Sequence, residues 1–79
     1  MKNETLLERI TSNPKVMVGK PTIRGLRISV EKILNALAAG APSQDLLEEY
    51  PELEPEDIRA ALAYASELVH EEQIFPAAV

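Results

Sequence analysis

The run Lys20-Pro21-Thr22-Ile23-Arg24-Gly25-Leu26-Arg27-Ile28-Ser29-Val30-Glu31-Lys32-Ile33-Leu34-Asn35-Ala36-Leu37 carries two hydrophobic patterns, one after the other. As far as Ile28 the β-branched residues sit at short spacing among Pro and Gly, the composition of short strands and turns. From Ser29, a residue whose hydroxyl suits a helix N-cap, Val30, Ile33, Leu34 and Leu37 recur at i, i+3, i+4 and i+7. The chain therefore passes from a hairpin to an amphipathic helix at Ser29.

Working toward the N-terminus, Asn13-Pro14 and Gly19-Lys20-Pro21 are turn signals, because proline fixes its own φ and pushes the preceding residue out of the helical region. Strands are expected at Val16 to Val18 and at Thr22-Ile23 with Arg27-Ile28, and Gly25 marks a bend or bulge. Residues 1–8 have the pattern of a frayed helical turn. Toward the C-terminus the helix should stop at Gly40, with Pro42 just beyond. Ser43 is placed to cap a second helix, Gln44 to Tyr50, which Pro51 prevents from continuing. A third helix opens at Pro55, with Glu54, Glu56 and Asp57 complementing its dipole, and runs to about Glu72. Ile58, Ala61, Leu62, Ala65, Leu68 and Val69 form its expected apolar stripe. The reading is a mainly α domain: a hairpin segment over 9–28, a three-helix bundle over 29–72 and a tail over 73–79. The second and third helices have the dimensions of a helix-turn-helix.

At 79 residues the chain has room for one small domain. Such a domain buries a modest share of its surface, so self-association as a homodimer is expected. With no cysteine and one histidine, a disulfide framework, a thiolate metal site and a cysteine nucleophile are excluded, and no cofactor is expected. No apolar run approaches the roughly 18–20 residues that span a bilayer, and a cytoplasmic location is the expectation. The acidic runs have no base partner or cofactor motif beside them, so no enzyme activity is expected.

Charge divides the chain. Residues 1–32 hold seven cations against three acids, a net of +4, while residues 33–79 hold Arg59 against ten acids, a net of −9. The first surface suits phosphate and the second suits a basic protein or another copy of the chain. Gly19-Lys20 is no nucleotide loop, since Pro14 and Pro21 stand where a phosphate loop needs Gly and Ser or Thr. Lys20, Arg24 and Arg27 remain as hairpin cations able to reach a DNA backbone or an acidic protein pocket, and Arg59 is the third helix's single cation. Ala60, Ala63 and Tyr64 lie off the apolar stripe, where small side chains admit a neighbouring helix from the same subunit or a second one. Ile74 and Phe75 offer an apolar anchor in the tail.

The stretch Gly19 to Ile28, preceded by Ile10 to Pro14 and followed by a helix ending in Ala39-Gly40, resembles domain of unknown function family 433 (DUF433). Leu47-Glu48-Glu49-Tyr50-Pro51 and Glu56-Asp57-Ile58-Arg59-Ala60-Ala61-Leu62-Ala63-Tyr64-Ala65 are similar to its second and third helices in order and spacing, so the resemblance covers roughly residues 9–70. One position departs, since Leu26 stands where the family usually has a small hydroxyl residue. The resemblance implies a winged or homeodomain-like helix-turn-helix. It also implies an antitoxin of a type II toxin-antitoxin pair that autoregulates transcription from its operator DNA and neutralises a PIN-like nuclease toxin. A pI near 4.8 and the acidic third helix favour a different reading, an acidic protein-protein adaptor that does not touch DNA.

Overall fold

Ser29 caps as its hydroxyl suits: Oγ accepts the Lys32 amide at 3.0 Å while its own backbone stays extended. The computed structural model, which describes residues 3–72 and the side chains of residues 5–70, therefore starts α2 (Val30–Ala38) where the period changes. The other end of α2 closes as a Schellman motif. Gly40 N–H donates to Leu37 O and Ala41 N–H to Ala36 O, both at 3.0 Å, with Gly40 at φ 98°. In α3 (Ser43–Glu49), Pro42 occupies the cap position and Ser43 is the first helical residue, so Ser43 does not cap it. After Pro51 the chain turns into α4 (Pro55–Glu72).

Upstream of α2, β1 (Ile10–Thr11) pairs antiparallel with β2 (Thr22–Ile23), placing Ile10 opposite Ile23 and Thr11 opposite Thr22. The other edge of β2 is also used: Ile23 N–H donates to Ile28 O, and Val30 N–H to Pro21 O, each at 3.0 Å. Between Ile23 and Ile28, Arg24 and Gly25 take φ 47° and 74°, and Leu26 N–H donates to Ile23 O at 2.7 Å. Positive φ at both central residues is the type I′ signature, so Gly25 serves a tight turn and not a bulge. The strand expected at Val16–Val18 does not form. Asn13 Oδ1 accepts the Lys15 amide at 2.9 Å and Asn13 O accepts the Val16 amide at 2.8 Å. This Asx-type closure leads into three left-handed residues, Met17, Val18 and Gly19.

Ile23, Ile28, Val30, Ile33, Leu46, Leu53, Ile58 and Ala61 form one buried cluster between the hairpin and α2, α3 and α4. At roughly 1.5–3 kcal/mol for each large aliphatic side chain buried, this cluster is the main source of stability. The frayed first turn is a packed helix, α1 (Asn3–Leu7), whose Leu6 lies against Ala60 and Ala63 in a second cluster. The described residues thus hold four helices, one more than the three-helix reading. Burial on α4 is rotated from the expected stripe: Ala60 and Ala63 are buried, while Leu62, Leu68 and Val69 are 49%, 48% and 57% exposed. Alanine explains the rotation, since its small side chain lets α1 approach closely. No helix of the described residues is long and apolar enough to cross a membrane.

Candidate functional site

Asp57 is the third residue of α4 and its side chain is fully buried. Its Oδ2 accepts the Glu54 amide at 2.8 Å, the reciprocal half of a capping box at the helix start. Arg24 reaches the same carboxylate with Nη2 at 2.9 Å from Oδ2 and Nε at 3.1 Å from Oδ1, a two-pronged grip. Arg9 adds Nη1 at 2.9 Å from Oδ1 and also contacts Glu54 Oε1 at 2.7 Å. Arg24 Nη2 donates further to Glu52 O at 2.7 Å, and the Arg24 amide donates to Arg9 O at 2.8 Å. Burial pushes the Asp57 carboxyl up, but hydrogen bonds from Arg24, the Glu54 amide and Arg9, with the Arg24 charge, outweigh it. The group is held below the ordinary carboxylate range. Among the described residues every buried side-chain nitrogen and oxygen has a hydrogen-bond partner, the Asp57 carboxylate included.

This cluster corrects the expectation that Arg24 stands with Lys20 and Arg27 as a hairpin cation available to a DNA backbone or an acidic protein pocket. The Arg24 guanidinium, partly exposed, is engaged by Asp57 in the acidic half of the chain, from the left-handed first central position of the turn. Lys20 is exposed and meets Glu31 at 3.2 Å, with both side chains more than half exposed. Arg27 and Lys15 are exposed, and among the described residues neither side chain makes an ion pair or hydrogen bond. Arg59 is exposed on α4, again without an ion pair among the described residues. Lys32 Nζ sits 5.6 Å from the centre of the Tyr50 ring, a cation–π contact that fixes the end of α3 against α2.

The small-residue face of α4 has its neighbouring helix within the same chain. Ala60 and Ala63 are covered by α1, which removes them as contacts for a second subunit. Tyr64 is half-buried and packs on the main core, and two shallow apolar grooves meet beside it. Ile74 and Phe75 lie outside the described residues. Leu26, at the position where a hydroxyl was expected, is half-buried against the core. Sequence reasoning missed the Arg9–Asp57–Arg24 cluster, though a signal was present. Asp57, Ala60, Ala61 and Tyr64 fall at i, i+3, i+4 and i+7, which places a carboxylate on the buried face. Among the described residues no three His, Asp or Glu side chains converge to hold a metal ion.

The architecture is that of a small, mainly helical domain with a cation-bearing hairpin locked to the start of its last helix. Residues 10–65 match the family model described as "Protein of unknown function (DUF433)", and the chain belongs to that family. It is 40% identical over 58 residues to "Uncharacterized protein y4eO" of Sinorhizobium fredii (strain NBRC 101917 / NGR234). That match takes in 73% of this chain and spans about a quarter (26%) of the relative's length. No solved structure matches the chain.

Proposed function

We propose that this chain is a DNA-binding regulator of the antitoxin kind, a binding protein without catalytic activity. As a homodimer it recognises operator DNA, autoregulates its operon and blocks a PIN-like nuclease toxin. One observation carries the reading. Residues 9–30 contain no acidic residue, and with Arg9 and Arg24 paired to Asp57, Lys15, Lys20 and Arg27 still face solvent. Burying Asp57 also withdraws one carboxylate from the surface of the first turn of α4, where it would repel phosphate. The two helices α3 and α4, joined through Tyr50 to Glu54, support a helix-turn-helix in which Arg59 is the outward cation of the second helix. Of Arg24 and Arg27, either of which could fill a nuclease pocket rich in carboxylates, Arg27 is the one whose guanidinium is not engaged elsewhere among the described residues.

A mobility-shift titration against the sequence directly upstream of its own reading frame tests this. Three exposed hairpin cations in each of two subunits give a log–log salt slope of roughly −5. Arg27→Ala should weaken binding and flatten that slope by about 2 in the dimer. If the purified protein fails to retard that DNA at low salt, with and without the co-expressed neighbouring protein, the DNA reading is wrong. The acidic adaptor reading then stands, favoured by the net charge of −9 over residues 33–79.

A further inference from the structure

We infer that the turn at Met17–Gly19 is a contact element whose apex, Val18, enters the minor groove of duplex DNA while Lys15 and Lys20 lie against the phosphates on either side. The inference rests on the DNA-binding reading above and adds to it a residue, a groove and a geometry. Val18 has φ 57° and ψ 39°, and Met17 before it has φ 51°. A β-branched residue in the left-handed region is a genuine outlier, because its Cβ crowds the following carbonyl. Packing does not offset this strain, since Val18 is 92% exposed. Gly19, which takes φ 78° freely, stands one residue too late to absorb it.

The turn is nevertheless well fixed. Gly19 N–H donates to Val16 O at 3.2 Å and Lys20 N–H to Met17 O at 3.1 Å. Ser12 Oγ donates to Gly19 O, and Asn13 Oδ1 accepts the Lys15 amide. A single apolar side chain is thus held out to water on a preorganised loop. Strain of this kind concentrates where a ligand is gripped.

Charge and shape select the partner. Lys15 and Lys20 flank the apex on a segment without acids, and the exposed Lys20–Glu31 contact is weak enough for a phosphate to displace. The minor groove is about 6 Å wide and lies between two phosphate ridges, a profile matched by one small apolar tip between two cations. Protein hot spots are built mainly from Trp, Tyr and Arg. The apex has none of these, and its apolar neighbours Val16 and Met17 are half-buried.

The test compares the whole chain with Val18→Gly, Val18→Asn and the double variant Lys15→Gln/Lys20→Gln. Each is titrated with an A·T-rich duplex, a G·C-rich duplex and the upstream sequence at several salt concentrations, with thermal melts alongside. Gly and Asn both tolerate the left-handed turn, so these variants should melt at or above the wild-type temperature. They should bind the A·T-rich duplex about tenfold more weakly per subunit, from the loss of one buried apolar side chain in each, with the salt slope unchanged. The double lysine variant should instead flatten the slope by about 2 per subunit. If Val18→Gly and Val18→Asn bind every duplex as tightly as the wild type does, the apex does not enter DNA, although the DNA-binding reading survives. If the wild type itself binds no duplex, both fall. If the Val18 variants keep DNA affinity and lose a co-expressed protein partner, the tip serves a protein and the inference is overturned.

Discussion

Asp57 gathers four donors from three separate stretches of chain: Arg9 Nη1, Arg24 Nε and Nη2, and the Glu54 amide. Removing it leaves two guanidiniums facing each other without their counter-charge and a helix start without its cap. Asp57→Ala should lower unfolding stability by roughly 2–4 kcal/mol, read from urea denaturation at neutral pH. The pH dependence has a definite sign. The Asp57 carboxyl is lowered in the folded protein relative to its ordinary value near 3.9, so the native state binds fewer protons than the unfolded chain. Its contribution is complete above that ordinary value and is lost as the pH falls through the lowered one. The stability gap between wild type and Asp57→Asn should therefore be widest near neutrality and narrow below about pH 4. An equal gap at pH 7 and pH 3 would show that the carboxylate's charge is not what holds the turn.

At the level of single elements, the features legible from the sequence are those whose cause lies within a few residues. Ser29 caps the helix immediately after it, Gly40 closes the helix immediately before it, and Pro55 opens α4, each through neighbours at most four positions away. Ser29→Ala should cost about 1 kcal/mol, and Gly40→Ala should cost a similar amount, about 1 kcal/mol, from its left-handed backbone alone, since open space surrounds the site. Thermal melts followed by far-ultraviolet circular dichroism would measure both. Of the misread elements, one is decided by local side-chain and turn bonds and the others at a distance. Val16-Met17-Val18 has strand propensity, but bonds back to Ser12 and Asn13 fold it into a left-handed turn. Ala60 and Ala63 show only helix propensity in sequence, and their burial depends on Leu6, more than fifty positions earlier. Of the candidate site, Lys20, Arg27 and Arg59 were legible as exposed cations. The engagement of Arg24 was not, because its partner lies 33 residues along the chain.

Across the whole molecule, the cationic first third and the acidic helical remainder are joined as well as opposed. Two of the cations that make residues 1–32 basic are spent internally on Asp57 and Glu54, and this leaves a smaller outward charge than the composition suggests. The hairpin is thereby anchored to the start of α4 by a contact that salt screens less than an exposed pair, since its carboxylate, on Asp57, is fully buried. That anchorage should be visible in amide hydrogen exchange. The Arg24 amide bonds to Arg9 O and the Glu54 amide bonds to Asp57, so neither can be released without disturbing the same carboxylate. The two amides, thirty positions apart, should share one protection factor and open in a single cooperative event. In Asp57→Asn they should part company, with the turn exchanging ahead of the helix.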